Sequence, residues 1–292
     1  MVLRIGSRGH QVELLQEYLN INVDGDFGSR TEFQVMEWQR ANGLKPDGIV
    51  GPKTWNMMGL ASTDGVESNN NYTGLDINKY YLPRGEYKDG PTKKDYLFIH
   101  HTAGWHNPYN QVDQWGRDNR GAIGTEFVVG GQSIIGNDSQ NDGVVVQAIP
   151  DGGYGWHLGK NGSQYMHTHS VAIEVCNFGW LKNGKTYADT QAADSQITVL
   201  PQPFRGFDMW HAYSDAQLNS LFDLIIYIAQ RDNIDVRDGL VKEILQKGPG
   251  AFEFNPDAYY GNVKGMWNHT NTRKDKTDMY PDPRLMDMLV SL

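Results

Sequence analysis

Two polar segments near the start of the chain repeat each other. Asp24-Gly25-Asp26-Phe27-Gly28-Ser29-Arg30-Thr31 is matched by Asp47-Gly48-Ile49-Val50-Gly51-Pro52-Lys53-Thr54, a shift of 23 residues from Asp24 to Asp47. In each copy Asp-Gly makes a tight turn, the second glycine admits a left-handed backbone, and the threonine is placed to open a helix. The apolar spacing agrees. Val12, Leu15 and Leu19 predict a helix over 12–19, Phe33 and Met36 with Glu37 and Arg40 predict one over 31–41, and a short third begins near Pro52. A repeated turn between amphipathic helices with inward apolar stripes predicts a small three-helix bundle over residues 1–60.

Residues 61–80 are small and polar with no periodicity, and read as a linker. From 81 to 292 the pattern changes. Short apolar runs predict strands at 96–100, 126–129, 143–149 and 171–176. Helices are predicted over 110–117 and 214–231, the second with Ser214 as N-cap and Gln217 three residues on. The stretches 180–212 and 248–268 read as loops, the first with a hairpin. The aromatics of the second (Phe252, Phe254, Tyr259, Tyr260, Trp267) pack it onto the domain. Strands interleaved with helices predict an α+β or α/β domain, a mixed central sheet with flanking helices.

Composition sets limits on function. With 39% hydrophobic and 21% charged residues the chain is globular rather than disordered. A net charge of −9 argues against nucleic acid as the main partner, although Arg273 to Lys276 is a local basic patch. Cys176 is the single cysteine, which rules out an intramolecular disulfide and a cysteine-cluster metal site. The opening Met1-Val2-Leu3-Arg4-Ile5-Gly6 lacks the basic head and apolar core of a secretory signal. No apolar run reaches the ~18 residues needed to span a bilayer. The expectation is a monomer made without a signal and not inserted in a membrane.

Three segments carry candidate chemistry. Leu97-Phe98-Ile99 leads into His100-His101, where strand alternation sends the two imidazoles to opposite faces and leaves the choice between them open. Ser170-Val171-Ala172-Ile173-Glu174-Val175-Cys176 holds a carboxylate inside an apolar strand. Unpaired burial there would cost several kcal/mol, so Glu174 faces a cleft, a cation or a donor; a structural ion pair is the alternative. His269, Lys276 and Asp278 crowd a terminal loop too polar for core, stiffened by Tyr280-Pro281-Asp282-Pro283; a solvated charge run is the alternative there. Two imidazoles and a carboxylate suit zinc with an open fourth position, and a further glutamate and lysine can move protons and stabilise charge. The pattern reads as a zinc hydrolase.

Two resemblances sharpen this. Residues 1–60, through Gly6, Gly9, Val12, Gln16, Asp24-Gly25, Phe27-Gly28, Trp38-Gln39, Asp47-Gly48, Val50-Gly51-Pro52 and Thr54-Trp55, resemble the small peptidoglycan-binding domain found on many wall hydrolases. Phe98-Ile99-His100-His101-Thr102-Ala103, Trp156-His157-Leu158-Gly159, Ser170 to Glu174 and His269 through Lys276 to Asp278 resemble the zinc N-acetylmuramoyl-L-alanine amidases. That group includes phage lysins, cytoplasmic anhydromuropeptide amidases and peptidoglycan-recognition proteins. The second resemblance implies zinc held by His100, His269 and Asp278, with Glu174 as general base and Lys276 as the cation beside the oxyanion. It places Trp156, His157, Thr125 and Glu126 by the substrate, bacterial peptidoglycan. The sequence departs from the family in three places. The interval from His269 to Asp278 is slightly shorter than in the cytoplasmic enzymes. Aspartate stands where many relatives have cysteine. Thr125 stands where some have a catalytic tyrosine, whose role is then absent or passes to Glu174. The two resemblances and the missing signal together imply a phage endolysin released through a holin-type pore.

Overall fold

The computed structural model describes residues 3–58, 75–90, 92–136, 138–159 and 163–292. The chain divides into two compact units, Met1–Asn71 and Tyr72–Val290. None of the described helices is long and apolar enough to cross a membrane.

In the first unit α1 (His10–Tyr18), α2 (Ser29–Ala41) and α3 (Pro52–Met58) enclose Val12, Leu15, Phe27, Val35, Val50 and Trp55. The sequence repeat is a repeat of hydrogen bonds. Gln16 on α1 reaches with Nε2 to Asp24 Oδ1 (2.8 Å), the Asp26 carbonyl (3.0 Å) and Thr31 Oγ1 (3.1 Å), and its Oε1 accepts from the Gly25 N–H. Gln39 on α2 does the same to Asp47 Oδ1 (3.0 Å), the Ile49 carbonyl (2.8 Å) and Thr54 Oγ1 (3.4 Å), and accepts from the Gly48 N–H. Each glutamine amide thus closes one Asp-Gly turn, satisfying backbone groups no helix could. Two details of the turn differ from the sequence-based expectation. The left-handed residue is the first glycine of each copy, Gly25 (φ 69°) and Gly48 (φ 74°), while Gly28 has φ −84°. Thr31 does not cap α2, since Gly28 holds that position; its hydroxyl serves the glutamine instead.

The second unit is built on a six-stranded sheet. Its strands are β1 (Ile77–Lys79), β2 (Tyr96–His101), β3 (Phe127–Val129), β4 (Val145–Gln147), β5 (Ser170–Val175) and β8 (Gly265–Asn268), in the order β1-β4-β3-β5-β2-β8. All neighbours are parallel except β3 and β4. β1 overlaps the expected linker. Residues 75–80 of that segment therefore belong with the sheet, and 61–74 lie outside the described residues. β2 and β5 are the buried centre, which is why both read as near-continuous apolar runs.

Helix α4 (Pro108–Trp115) packs Val112 and Trp115 against Val128, Val146, Ala148 and Cys176 on one face. The other face meets α6 (Asp215–Asp232), capped as the sequence suggests by a reciprocal Ser214–Gln217 box and burying Leu218, Leu221, Leu224, Ile225 and Ile228. β6 (Ile197–Phe204) and β7 (Phe207–His211) form the anticipated hairpin. The stretch 248–268 is more regular than its composition suggests. It ends in β8, and Phe252 and Trp267 are buried while Tyr260 is 70% exposed. Helices α7 (Leu240–Lys247) and α10 (Pro283–Val290) are amphipathic segments the strand-centred reading passed over. Between them lie α8 (Pro256–Tyr260) and α9 (His269–Thr272), and the short α5 (Gln164–Thr168) leads into β5.

Candidate metal centre

Register brings the site together. In the parallel β2–β5 pair His100 stands beside Glu174, and one step down Phe98 stands beside Ala172 and Tyr96 beside Ser170. These residues share one face, because paired positions in a sheet point the same way. On the other side of β2, Trp267 lies beside Phe98. The chain leaves β8 at Asn268, whose carboxamide caps α9 through the Asn271 N–H in a reciprocal box. That cap fixes where His269, the first residue of α9, begins. The chain then loops back, and the Thr270 N–H binds the Asp278 carbonyl (3.2 Å).

The result is a buried cluster of His100, His269 and Asp278, with one ligand-capable atom from each lying within 4.8 Å of the others. Asp278 Oδ2 lies 2.9 Å from His269 Nδ1 and 3.3 Å from His100 Nδ1. His269 Nε2 is buried with no hydrogen-bond partner among the described residues. An orphaned ring nitrogen in such a place is costly unless something else fills its valence. Burial opposes charge on Asp278, yet the His269 and His100 rings hold its carboxyl well below the usual range. Burial pushes His100 down to about 4, so it is a neutral, lone-pair-bearing imidazole at ordinary pH. Two imidazoles and a carboxylate form a donor set that a divalent transition ion fits.

His101 points to the opposite face, where Nδ1 meets the Tyr213 hydroxyl at 2.9 Å. Glu174 is the one residue of β5 with solvent access. Burial pushes its carboxyl well above the usual range, reinforced by Asp278 and relieved by Lys276. The half-buried Lys276 therefore acts electrostatically on both Glu174 and His100. His157 Nδ1 lies 3.1 Å from His100 Nε2, and its Nε2 lies 2.6 Å from Ser170 Oγ. Trp156 stands edge-on to His167 at 4.8 Å.

Two residues expected by the substrate are buried with internal partners. Glu126 is 3% exposed and its carboxylate is taken up by Arg231 at 2.6 Å and 3.2 Å, a buried ion pair reaching from β3 to α6. Thr125 is 2% exposed and its hydroxyl donates to the Phe127 carbonyl (2.8 Å). In both residues the side-chain polar group is engaged within the domain.

Sequence reasoning missed two supports of the site. Ser170 is invisible without the β2–β5 register. The other is the lock behind Asp278. Tyr280 stacks between Trp210 (4.5 Å) and Tyr213 (5.0 Å), and Asp282 accepts from the Tyr280 and Thr198 hydroxyls. The Tyr-Pro-Asp-Pro segment signalled rigidity, but its anchor on the hairpin could not be read.

Comparisons with known proteins match each of the two units to a family. Residues 8–58 match the peptidoglycan binding domain family, and residues 90–278 match the N-acetylmuramoyl-L-alanine amidase family. An uncharacterized protein of Kitasatospora aureofaciens is 48% identical over 49 residues, 17% of this chain and 42% of that protein. Among solved structures, the endolysin of Burkholderia phage AP3 is 39% identical over 22% of this chain and 27% of its own, with a TM-score of 0.20. A selenomethionine AmpD derivative is 15% identical, covering 74% of this chain and 98% of its own, with a TM-score of 0.39. The chain thus spans less than half the length of the first two relatives. The amidase match runs through the whole cluster from His100 to Asp278 and covers well over half of the residues, and the chain belongs to the N-acetylmuramoyl-L-alanine amidase family.

Proposed function

We propose that the protein hydrolyses the amide bond between N-acetylmuramic acid and L-alanine in bacterial peptidoglycan, with a zinc ion held by His100, His269 and Asp278. The observation that carries this reading is the convergence of those three side chains beside Glu174, on a face formed by strands far apart in sequence. Zinc bound there supplies a Lewis acid that acidifies water and polarises the scissile carbonyl.

The remaining chemistry belongs to the chain. Glu174, kept basic by burial and placed one strand from His100, takes the proton of the attacking water and passes it to the leaving amine. Lys276 offers positive charge to the oxygen that becomes negative at the tetrahedral stage. Residues 1–60 form a peptidoglycan-binding domain and 81–292 a catalytic one, so the first raises the local concentration of substrate for the second. The family, the wall-binding match and the AP3 endolysin resemblance favour a lytic role like that of a phage endolysin, acting on the wall after release through a holin-type pore.

Mass spectrometry of digested sacculi tests the bond. An amidase frees stem peptides with an L-alanine N-terminus and leaves intact muramic acid. Fragments cut within the stem peptide would replace this reading with a peptidase.

A further inference from the structure

His157 lies in the segment expected to touch substrate, yet both its ring nitrogens are already engaged. Nδ1 is 3.1 Å from His100 Nε2 and Nε2 is 2.6 Å from Ser170 Oγ, whose hydroxyl points on to the His167 carbonyl at 3.5 Å. We propose that His157 and Ser170 form a positioning relay that fixes the tautomer and orientation of His100. The relay rests on the zinc reading above and goes beyond it, since it moves His157 from the substrate to the support of a metal ligand.

The direction of the hydrogen bonds follows from valence. With His100 Nε2 facing His157, Nδ1 is the ring nitrogen left to hold a metal, and it lies on the Asp278 side. A ligating nitrogen carries no proton, so the His100 proton sits on Nε2 and is donated to His157 Nδ1. His157 must then keep its own proton on Nε2, which donates to Ser170 Oγ. The Ser170 hydroxyl proton is directed to the His167 carbonyl. Every step has one donor and one acceptor, and any other tautomer of His157 sets two protons or two lone pairs against each other. Packing fixes the ring as well: His157 is 5.4 Å from Phe98 and 5.5 Å from His167. Ser170 is 4% exposed and held by β5, beside Tyr96 of β2. Partners of this kind raise ligand basicity and hold the ring in place, and losing one typically costs about 10–100-fold in metal affinity or activity.

The test measures zinc affinity of the full-length protein by chelator competition. Ser170→Ala and His157→Phe should each weaken zinc binding by roughly 10–100-fold. Ser170→Thr keeps the hydroxyl, and His157→Asn keeps an acceptor at the δ position; both should stay near the parent. Thermal unfolding of the zinc-free proteins shows which variants fold. At saturating zinc the turnover of Ser170→Ala should recover with KM unchanged. In the parent loaded with zinc, nitrogen–proton correlation spectra of the imidazoles should place the His157 proton on Nε2. A parent that binds zinc tightly while folded Ser170→Ala and His157→Phe bind it equally well overturns the relay alone, as does a His157 proton found on Nδ1. A parent that binds no zinc overturns the metal reading and the relay with it.

Discussion

The glutamine braces of the first unit and the histidine–aspartate cluster of the second are both knots of buried polar groups, and they are built on opposite rules. Gln16 and Gln39 bind partners within 15 residues along the chain, and each carboxamide has its donor and acceptor engaged. His100 and Asp278 come from 178 residues apart, His269 Nε2 has no hydrogen-bond partner among the described residues, and the carboxyls of Glu174 and Asp278 are pushed in opposite directions. A satisfied knot stabilises structure. A knot left open at one corner costs stability and keeps a place for chemistry.

Substitutions should separate the two kinds. The largest effect is expected at Glu174. Glu174→Gln should lower hydrolysis of peptidoglycan by about 10²–10⁴-fold while zinc content and thermal midpoint change little. Equal activity in parent and variant would remove Glu174 as the base. His269→Ala should lose both tight zinc and activity, and the parent's zinc-dependent rise in thermal midpoint should vanish with it.

Effects on the scaffold come next and should fall on stability. Glu126→Ala takes from Arg231 its most buried carboxylate partner, leaving Asp232 and Asp151, and should cost about 1–3 kcal/mol by denaturant titration. A neutral result would show that the Glu126–Arg231 pair does not support the scaffold. Gln39→Ala leaves the buried Gly48 N–H unpaired and should cost roughly 1–3 kcal/mol, read from melting of the first unit, with turnover of a small soluble muropeptide unchanged. If Gln39→Ala instead lowers that turnover as strongly as Glu174→Gln, the contrast between the two knots fails.

The same contrast explains what could be read from the sequence. The first unit was legible because its logic is local. Helix periodicity and the repeated Asp-Gly turns lie within one window, and Gln16 and Gln39 share the same 23-residue shift, although their role in closing the turns could not be read. The central strands were legible from their apolar runs, and α6 from its cap. β1 and β8 were not: Ile77-Asn78-Lys79 is a short polar edge, and Gly265-Met266-Trp267-Asn268 is four residues inside an aromatic-rich stretch. Both become strands only because a neighbour supplies hydrogen bonds. At the site, residue chemistry and resemblance pointed to His100, His269, Asp278 and Glu174, but the His100–His101 choice depended on which face the sheet turns inward. Glu126 misled because a carboxylate next to a strand looks the same in sequence whether its partner is substrate or an arginine 105 residues away.

Elemental analysis of the purified full-length protein, alongside Asp278→Ala and Glu174→Gln, tests the central claim most directly. The account predicts about one tightly bound zinc per chain in the parent and in Glu174→Gln, none in Asp278→Ala, and hydrolysis that chelator abolishes and zinc restores. A parent free of metal that still cleaves peptidoglycan in excess chelator would contradict it.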